Sequence, residues 1–346
     1  MKSVLIYTSG DKHHGLGHVK RELVLAEELL SRGIRIGFEV PPDTVGYRII
    51  KDWCVEHINV NVNDFMRLHD AIIIDLEHGP GQSLIEQARQ KFDKVIVIGG
   101  VGFPPIGYVR DKGFSVLVGE VDAKRVSELV DLQIYQSIAV NKNEMPIGKN
   151  ILIGCEYLII NKEYQSLRDV YGRAVIGHDV LVVMGGGDPH GLTGVVCEAA
   201  KICCNGNGAS VRAVIGPAFD RPTTNRVLLP EDVKCFFAPP TLARAFASSR
   251  CAVSALGMTT YEAACVGVPT ASISWSEDHV ETAKKLEEAN VTVNLGLWSN
   301  PDWVKMKEFV ERMGDKNEWQ KMSDAGRGLV NGLGVERVVE RIERLL

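Results

Sequence analysis

The stretch Ser254-Ala-Leu-Gly-Met-Thr-Thr-Tyr-Glu-Ala-Ala-Cys-Val-Gly267 decides the fold. The residues that lead into it, Cys251-Ala-Val-Ser254, are short and apolar, the pattern of a buried parallel strand. Gly257 then allows a sharp turn and a close approach of backbone to ligand. Met258 follows, and Thr259 and Thr260 open a helix with apolar Tyr261, Ala264, Cys265 and Val268 at i, i+3, i+4 and i+7. Strand, glycine turn and helix start present free N–H groups and the positive dipole end to an anion, and a diphosphate suits that place. A second reading of the same letters stays open. Thr259-x-x-Glu262 is also a capping box, which satisfies the first helical turn and does nothing else.

Outward from this stretch, short apolar strands are expected at 180–184, 211–215, 235–237, 251–254, 270–274 and 291–295. Helical patterns lie at 193–204, 279–290, 302–313, 318–330 and 335–346. Towards the N-terminus, a strand at 4–7 runs into the glycine-rich loop Gly10-Asp-Lys-His-His-Gly-Leu-Gly17. Val19, Leu23, Ala26 and Leu30 then form a helical stripe stopped by Gly33, and 34–40 is the next strand. Further apolar runs stand at 71–74, 95–98 and 115–118. This alternation predicts an α/β protein of two doubly wound, Rossmann-like domains, each with a sheet covered on both faces. The expected boundaries are 1–160, a linker at 161–177, and 178–346. Ligands of such sheets bind at the carboxyl ends of the strands, here in an interdomain cleft.

Composition narrows the function. Of 346 residues 45% are hydrophobic and 24% charged, and the net charge of −5 offers no basic field for nucleic acid or an acidic membrane surface. No apolar run approaches the roughly 18–20 residues of a membrane span. The eight cysteines include no CxxC pair and read as reduced core residues, so a cytoplasmic protein is expected. Oligomeric state is open.

Several loops carry candidate chemistry. Lys12-His-His-Gly-Leu-Gly-His-Val-Lys-Arg21 places His18 where a helix begins, at the carboxyl end of the first strand. A helix start disfavours an imidazolium, and a neutral imidazole is what a general base requires. The alternative is a histidine that merely hydrogen-bonds its loop. His14 and His18 have a ligand spacing for a helix, but Gly15 and Gly17 argue against a helix there and nothing completes a metal set. No metal and no cofactor is called for. Gly185-Gly-Gly-Asp-Pro-His190 allows backbone to lie against a phosphate or sugar, or is a plain tight turn. It is not a GxGxxG, and there is no GxxxxGK[ST]. Ile215-Gly-Pro217 is another strand-ending glycine turn. Asp75, Glu77 and His78 follow a strand and put acid and imidazole groups on the ligand side, where they read as solvated loop residues ahead of a chemical role. Asp278-His279 precedes a helix that His279 would cap.

These pieces resemble one family over nearly the whole chain. Gly15-Leu-Gly-His-Val-Lys-Arg-Glu-Leu-Val-Leu-Ala26 is similar to the GxGHxxRxLxLA signature of the pseudaminic-acid-pathway UDP-sugar hydrolases and the spore-coat polysaccharide SpsG-type proteins. Ile153-Gly-Cys-Glu-Tyr157, Gly185-Gly-Gly-Asp-Pro189, Ile215-Gly-Pro217, Thr259-Thr-Tyr-Glu262 and Gly326-Arg-Gly-Leu-Val-Asn-Gly-Leu-Gly-Val-Glu-Arg337 keep that family's order. More distantly the chain is similar to MurG-like glycosyltransferases. The resemblance implies the GT-B fold and a UDP-sugar substrate. His18 would be the catalytic histidine that activates water against the sugar–phosphate bond. Glu262 would hold the ribose, Thr259 and Thr260 would lie near the diphosphate, and Phe237 near the uracil. Gly15, Gly17, Arg21, Gly186, Gly187, Asp188, Gly216, Gly257 and Met258 would line the substrate. Asp278 and His279 stand where the family has an Asn-Gln pair that helps hold the donor sugar. The expectation is a nucleotide-sugar hydrolase of surface-polysaccharide or nonulosonic-acid-type biosynthesis. The competing readings are a glycosyltransferase that uses the same base on a hydroxyl, and a non-catalytic nucleotide-sugar binding protein.

Overall fold

The computed structural model describes residues 2–10, 16–57, 69–76, 82–99, 129–139, 150–168, 179–204, 209–219, 229–230 and 232–346. Two compact units emerge. The first comprises Met1–Gly10, His18–Ile159 and Leu333–Leu346, and the second Asp11–Gly17 with Ile160–Gly332. The expected strand at 115–118 lies outside the described residues.

Unit 1 is built on six parallel strands: β1 (Ser3–Thr8), β2 (Arg35–Glu39), β3 (Ala71–Asp75), β4 (Lys94–Gly99), β5 (Leu132–Tyr135) and β6 (Ile151–Ile153). Their order is β2-β1-β3-β4-β5-β6. The two-residue alternation of a strand sends its side chains to two separate cores. Val4, Ile6, Ile73, Ile96 and Ile98 face α1 (Gly17–Ser31), α2 (Val45–His57) and α11 (Gly334–Glu343). Leu5, Ile72, Ile74, Val95 and Val97 face α3 (Gln82–Lys91) through Ile85 and Ala88. Both faces are covered, which is why these strands are apolar without alternation in polarity.

The last helix corrects the expected boundary. The expected C-terminal domain runs to residue 346, yet Val335, Val338, Val339 and Ile342 of α11 bury completely in the core of unit 1. Each contributes about 1.5–3 kcal/mol of burial as an upper bound. Arg337 Nη1 donates to Glu156 O at 2.8 Å, and Arg341 bonds Asn150. The expected linker is also changed where it is described. Residues 162–167 form α4 (Lys162–Leu167) inside unit 2, with Tyr164 buried against Phe246.

Unit 2 repeats the architecture with β7 (Asp179–Val183), β8 (Val211–Ile215), β9 (Lys234–Phe237), β10 (Ser249–Ala255), β11 (Thr270–Ser274) and β12 (Thr292–Leu297). All are parallel, in the order β12-β11-β10-β7-β8-β9. The helices are α5 (Leu192–Cys204), α6 (Ala243–Ala247), α7 (Met258–Val266), α8 (Val280–Glu288), α9 (Trp303–Arg312) and α10 (Lys316–Leu329). The six strands expected in this half are all present.

At the carboxyl end of β2, Glu39 lies beside Tyr7 of β1. Burial pushes the Glu39 carboxyl up to about 7, against the pull of Lys91. The folded state therefore holds this proton more tightly than the unfolded chain does. The stability it contributes is fully present below the unfolded value of 4.5 and is lost as pH rises through about 7. Melting curves of wild type and Glu39→Gln should accordingly diverge in the variant's favour between about pH 5 and about pH 8. Curves that stay parallel across that window would rule the shift out.

Candidate functional site

In each sheet the winding reverses at one place, and there the loops beyond the strand ends leave a crevice. In unit 1 this place is between β1 and β3. Helix α1 begins directly after the β1 loop, so its first turn lies over the last residue of β3. The result is a buried polar cluster. Asp75 has no exposed surface and Arg21 is 3% exposed. Arg21 Nε donates to Asp75 Oδ2 at 3.0 Å, and Nη2 donates to Oδ1. His18 Nδ1 lies 2.7 Å from the same Oδ1. Burial alone would push the Asp75 carboxyl up. The charge of Arg21 and the hydrogen bonds from Arg21 and His18 outweigh it and hold Asp75 well below the usual carboxylate range.

A proton assignment follows from the geometry. Two lone pairs cannot face each other at 2.7 Å, and the carboxylate carries no proton, so His18 Nδ1 is the N–H. Arg21 Nη2, 3.0 Å from Nδ1, then spends its hydrogens on Asp75. In the neutral ring Nε2 is then the lone pair, and the contact with Asp75 fixes the ring orientation. The His18 side chain is 13% exposed, so the ring is held firmly without being sealed. Gly17 is the first residue of α1, and a Cβ there would meet nothing within 4 Å. Gly15 lies outside the described residues, as do Glu77 and His78.

In unit 2 the reversal is between β7 and β10, and it brings the Gly185–His190 loop beside Gly257. Helix α7 starts at Met258 with Gly257 as its N-cap, and no side chain caps it. The capping box is therefore not formed, because Thr259 already lies inside the first turn. Glu262 instead adjoins the hydroxyl of Tyr164. Burial and then Glu262 push that hydroxyl well up, and it takes the Leu242 N–H at 3.1 Å. Thr260 is fully buried, its Oγ1 3.4 Å from Ser254 Oγ, while Gly257, Met258 and Thr259 are half-buried. A Cβ on Gly257 would meet no protein atom within 4 Å, so neither packing nor its extended φ of 160° demands glycine. The space above it is open.

Two of the expected ligand residues are accounted for by the fold itself. Asp188 accepts the N–H groups of Leu192 and Thr193 at 2.8 Å each and the Thr193 hydroxyl at 2.7 Å, which caps α5. A Cβ on Gly216 would stand 2.3 Å from Gly186 O, so its glycine lets two turns pack backbone to backbone. Gly186 and Gly187 are half-buried in that loop. Phe237, at the end of β9, is 70% exposed. His279 occupies the N-cap position of α8 without a side-chain cap bond, and Asp278 precedes it in a short 3-10 turn.

Sequence reading did not single out the ring group His190, Trp275 and Trp298. His190 stacks on Trp298 at 3.8 Å and 8° and tilts towards Trp275 at 5.3 Å. The three come from the carboxyl ends of β7, β11 and β12, so only the strand order brings them together. Glu22 was missed as well; its signal is a carboxylate in the buried stripe of α1. Among the described residues no group of three or more His, Cys, Asp or Glu is placed to hold a metal, and no helix is long and apolar enough to cross a membrane.

No protein-family model matches the sequence. The spore coat polysaccharide biosynthesis protein SpsG of Bacillus subtilis strain 168 is 25% identical over 352 residues, spanning 98% of this chain and 97% of that one. Among solved structures, MurG of Acinetobacter baumannii aligns with a TM-score of 0.62 at 15% identity, over 99% of this chain and 100% of that chain. MnaA of S. aureus, solved with UDP, aligns with a TM-score of 0.62 at 12% identity, over 100% and 97%. Two six-stranded parallel sheets flanked by helices match the architecture of these proteins: the chain has the GT-B fold.

Proposed function

We propose that this chain is an enzyme of polysaccharide biosynthesis that uses a nucleotide sugar, with UDP as the nucleotide, and transfers the sugar to a hydroxyl. The observation that carries the proposal is the 2.7 Å contact between His18 Nδ1 and Asp75, which leaves Nε2 as a proton acceptor. In the reaction the hydroxyl oxygen forms a bond to the anomeric carbon, its proton passes to His18 Nε2, and the bond to the diphosphate breaks. The nucleoside diphosphate leaves with its negative charge. Backbone N–H groups at the start of α7 and along Gly185–Gly187 suit that charge. Glu262 would take the ribose, Phe237 the base, and the rings of His190, Trp275 and Trp298 the sugar. The likeness to SpsG and MurG supports the sugar-nucleotide chemistry. All eight cysteines are free and seven are buried, which fits a reducing cytoplasm.

A second reading, hydrolysis, rests on the Gly15–Ala26 signature, with water in place of the hydroxyl. UDP release from candidate UDP-sugars, measured with and without glycan acceptors, separates the two. Release that requires an acceptor supports transfer, and free sugar formed without one supports hydrolysis. Binding without turnover would leave a non-catalytic binding protein. Absence of any thermal shift with UDP, GDP, CMP or dTDP derivatives would overturn the sugar-nucleotide reading itself.

A further inference from the structure

Glu22 has no exposed surface and sits in the stripe of α1 that otherwise carries Val19, Leu25, Ala26 and Leu29. It follows His18 by four residues and so lies on the same face of the helix. Neither of its carboxyl oxygens receives a donor from any described residue. A buried carboxylate without donors is costly, and such a group takes up a proton instead. A carboxylic acid, unlike a carboxylate, has an O–H to give, and Asp75 is the acceptor beside it.

We propose that Glu22 is a neutral carboxylic acid that donates its proton to Asp75 and, through Asp75, sets how strongly Nε2 of His18 holds a proton. It is a positioning residue. Asp75 then has a fourth donor beside His18 Nδ1 and the two Arg21 groups, so both of its oxygens are fixed. Burial, followed by the charge and hydrogen bond of Asp75, pushes the Glu22 carboxyl well up against the pull of Arg21.

Among the described residues the charged and titratable groups around Glu22 come from two elements: Arg21 of α1, with His18 one turn before Glu22, and Asp75 of β3. At the register of Asp75, neighbouring β1 brings only the Thr8 hydroxyl, itself buried and without a partner among the described residues. The rest of that core face, including Ile6, Ile73, Ile50 of α2 and Val335 of α11, is apolar. With Glu22 neutral, the charges of Arg21 and Asp75 cancel. An ionised Glu22 would add a negative charge one turn away and load the ring with a proton in advance.

The catalytic meaning of this inference rests on His18 as the base, but the proton's location does not, so the test needs no turnover. Infrared spectra of the full chain with isotopically labelled glutamate should show a protonated carboxylic C=O band at neutral pH that disappears in Glu22→Gln. The His18 ring titration by NMR, assigned with His18→Asn, should keep its midpoint within about 0.3 pH unit in Glu22→Gln, since one neutral donor replaces another. Glu22→Leu removes the donor to Asp75 and should raise the midpoint by about 0.5–1 pH unit. The idea is overturned if wild type lacks the acid band, or if Glu22→Gln lowers the midpoint by about one unit, the mark of a lost charge. A midpoint unmoved in Glu22→Leu also overturns the coupling. If Glu22→Leu does not fold, the wild-type band and the isosteric Glu22→Gln decide the matter.

Discussion

Asp75→Asn should lower sugar transfer by about 10²–10⁴-fold while KM for the donor moves little, and His18→Asn should do the same. The argument is about which ring nitrogen carries the proton. The Asp75 carboxylate can only accept, so it demands the proton on His18 Nδ1 and frees Nε2. An asparagine amide can present N–H₂ to Nδ1 instead, which moves the ring proton to Nε2 and abolishes the base without moving an atom. The substitution also leaves Arg21, 3% exposed, without its counter-charge. That costs about 3–5 kcal/mol of stability, so turnover must be read well below the melting point and per folded molecule. Calorimetric titration of UDP gives the control, because the proposed nucleotide-binding residues belong to unit 2. A well-folded Asp75→Asn protein with wild-type turnover would remove Asp75 from the mechanism.

Trp319→Ala should cost about 3–5 kcal/mol, read from the urea midpoint at unchanged slope. Trp319 is among the largest side chains in the interior at 1% exposure, and its Nε1 donates to Arg250 O at 2.8 Å. It therefore ties α10 to β10, the strand that runs into Gly257 and the start of α7. The same helix touches α7 at Gly326, where an added Cβ would come within 3.1 Å of the Ala264 main chain. Alanine at 319 removes the indole volume and leaves a buried carbonyl without its donor, and the two losses add. A loss under about 1 kcal/mol would mean that the neighbouring helices collapse into the space.

How far the letters carried the reading depends on how local each feature is. Strands of unit 2 such as β7 rest on apolar runs ended by glycine, here 180–184 before Gly185, a signal contained within a few residues. β5 escaped because it carries Gln133 and Tyr135; the Tyr135 hydroxyl donates to Gln133 Oε1 at 3.0 Å, which lets both be buried. The start of α7 differs by one residue, enough to turn Thr259 from a cap into an interior position. Asp75 reads as a solvated loop residue because an isolated acid after a strand normally is one. Its partner Arg21 stands 54 residues away, and only the neighbouring of β1 and β3 joins them. The ring group of His190, Trp275 and Trp298 has the same origin. Its members lie on separate loops, and nothing in the spacing of the letters relates them.

The return of α11 to unit 1 has a consequence for the order in which the protein is made. Residues 160–332 are synthesised before Val335, Val338, Val339 and Ile342. Unit 2 therefore has all its parts while one face of the first sheet still lacks its last cover. Multidomain chains generally fold from the N-terminus as they emerge; here the half that starts the chain is the half that finishes last. A released chain truncated just before residue 335 would carry all of its C-terminal half and an N-terminal half with an open apolar face, the form a chaperone would have to shield.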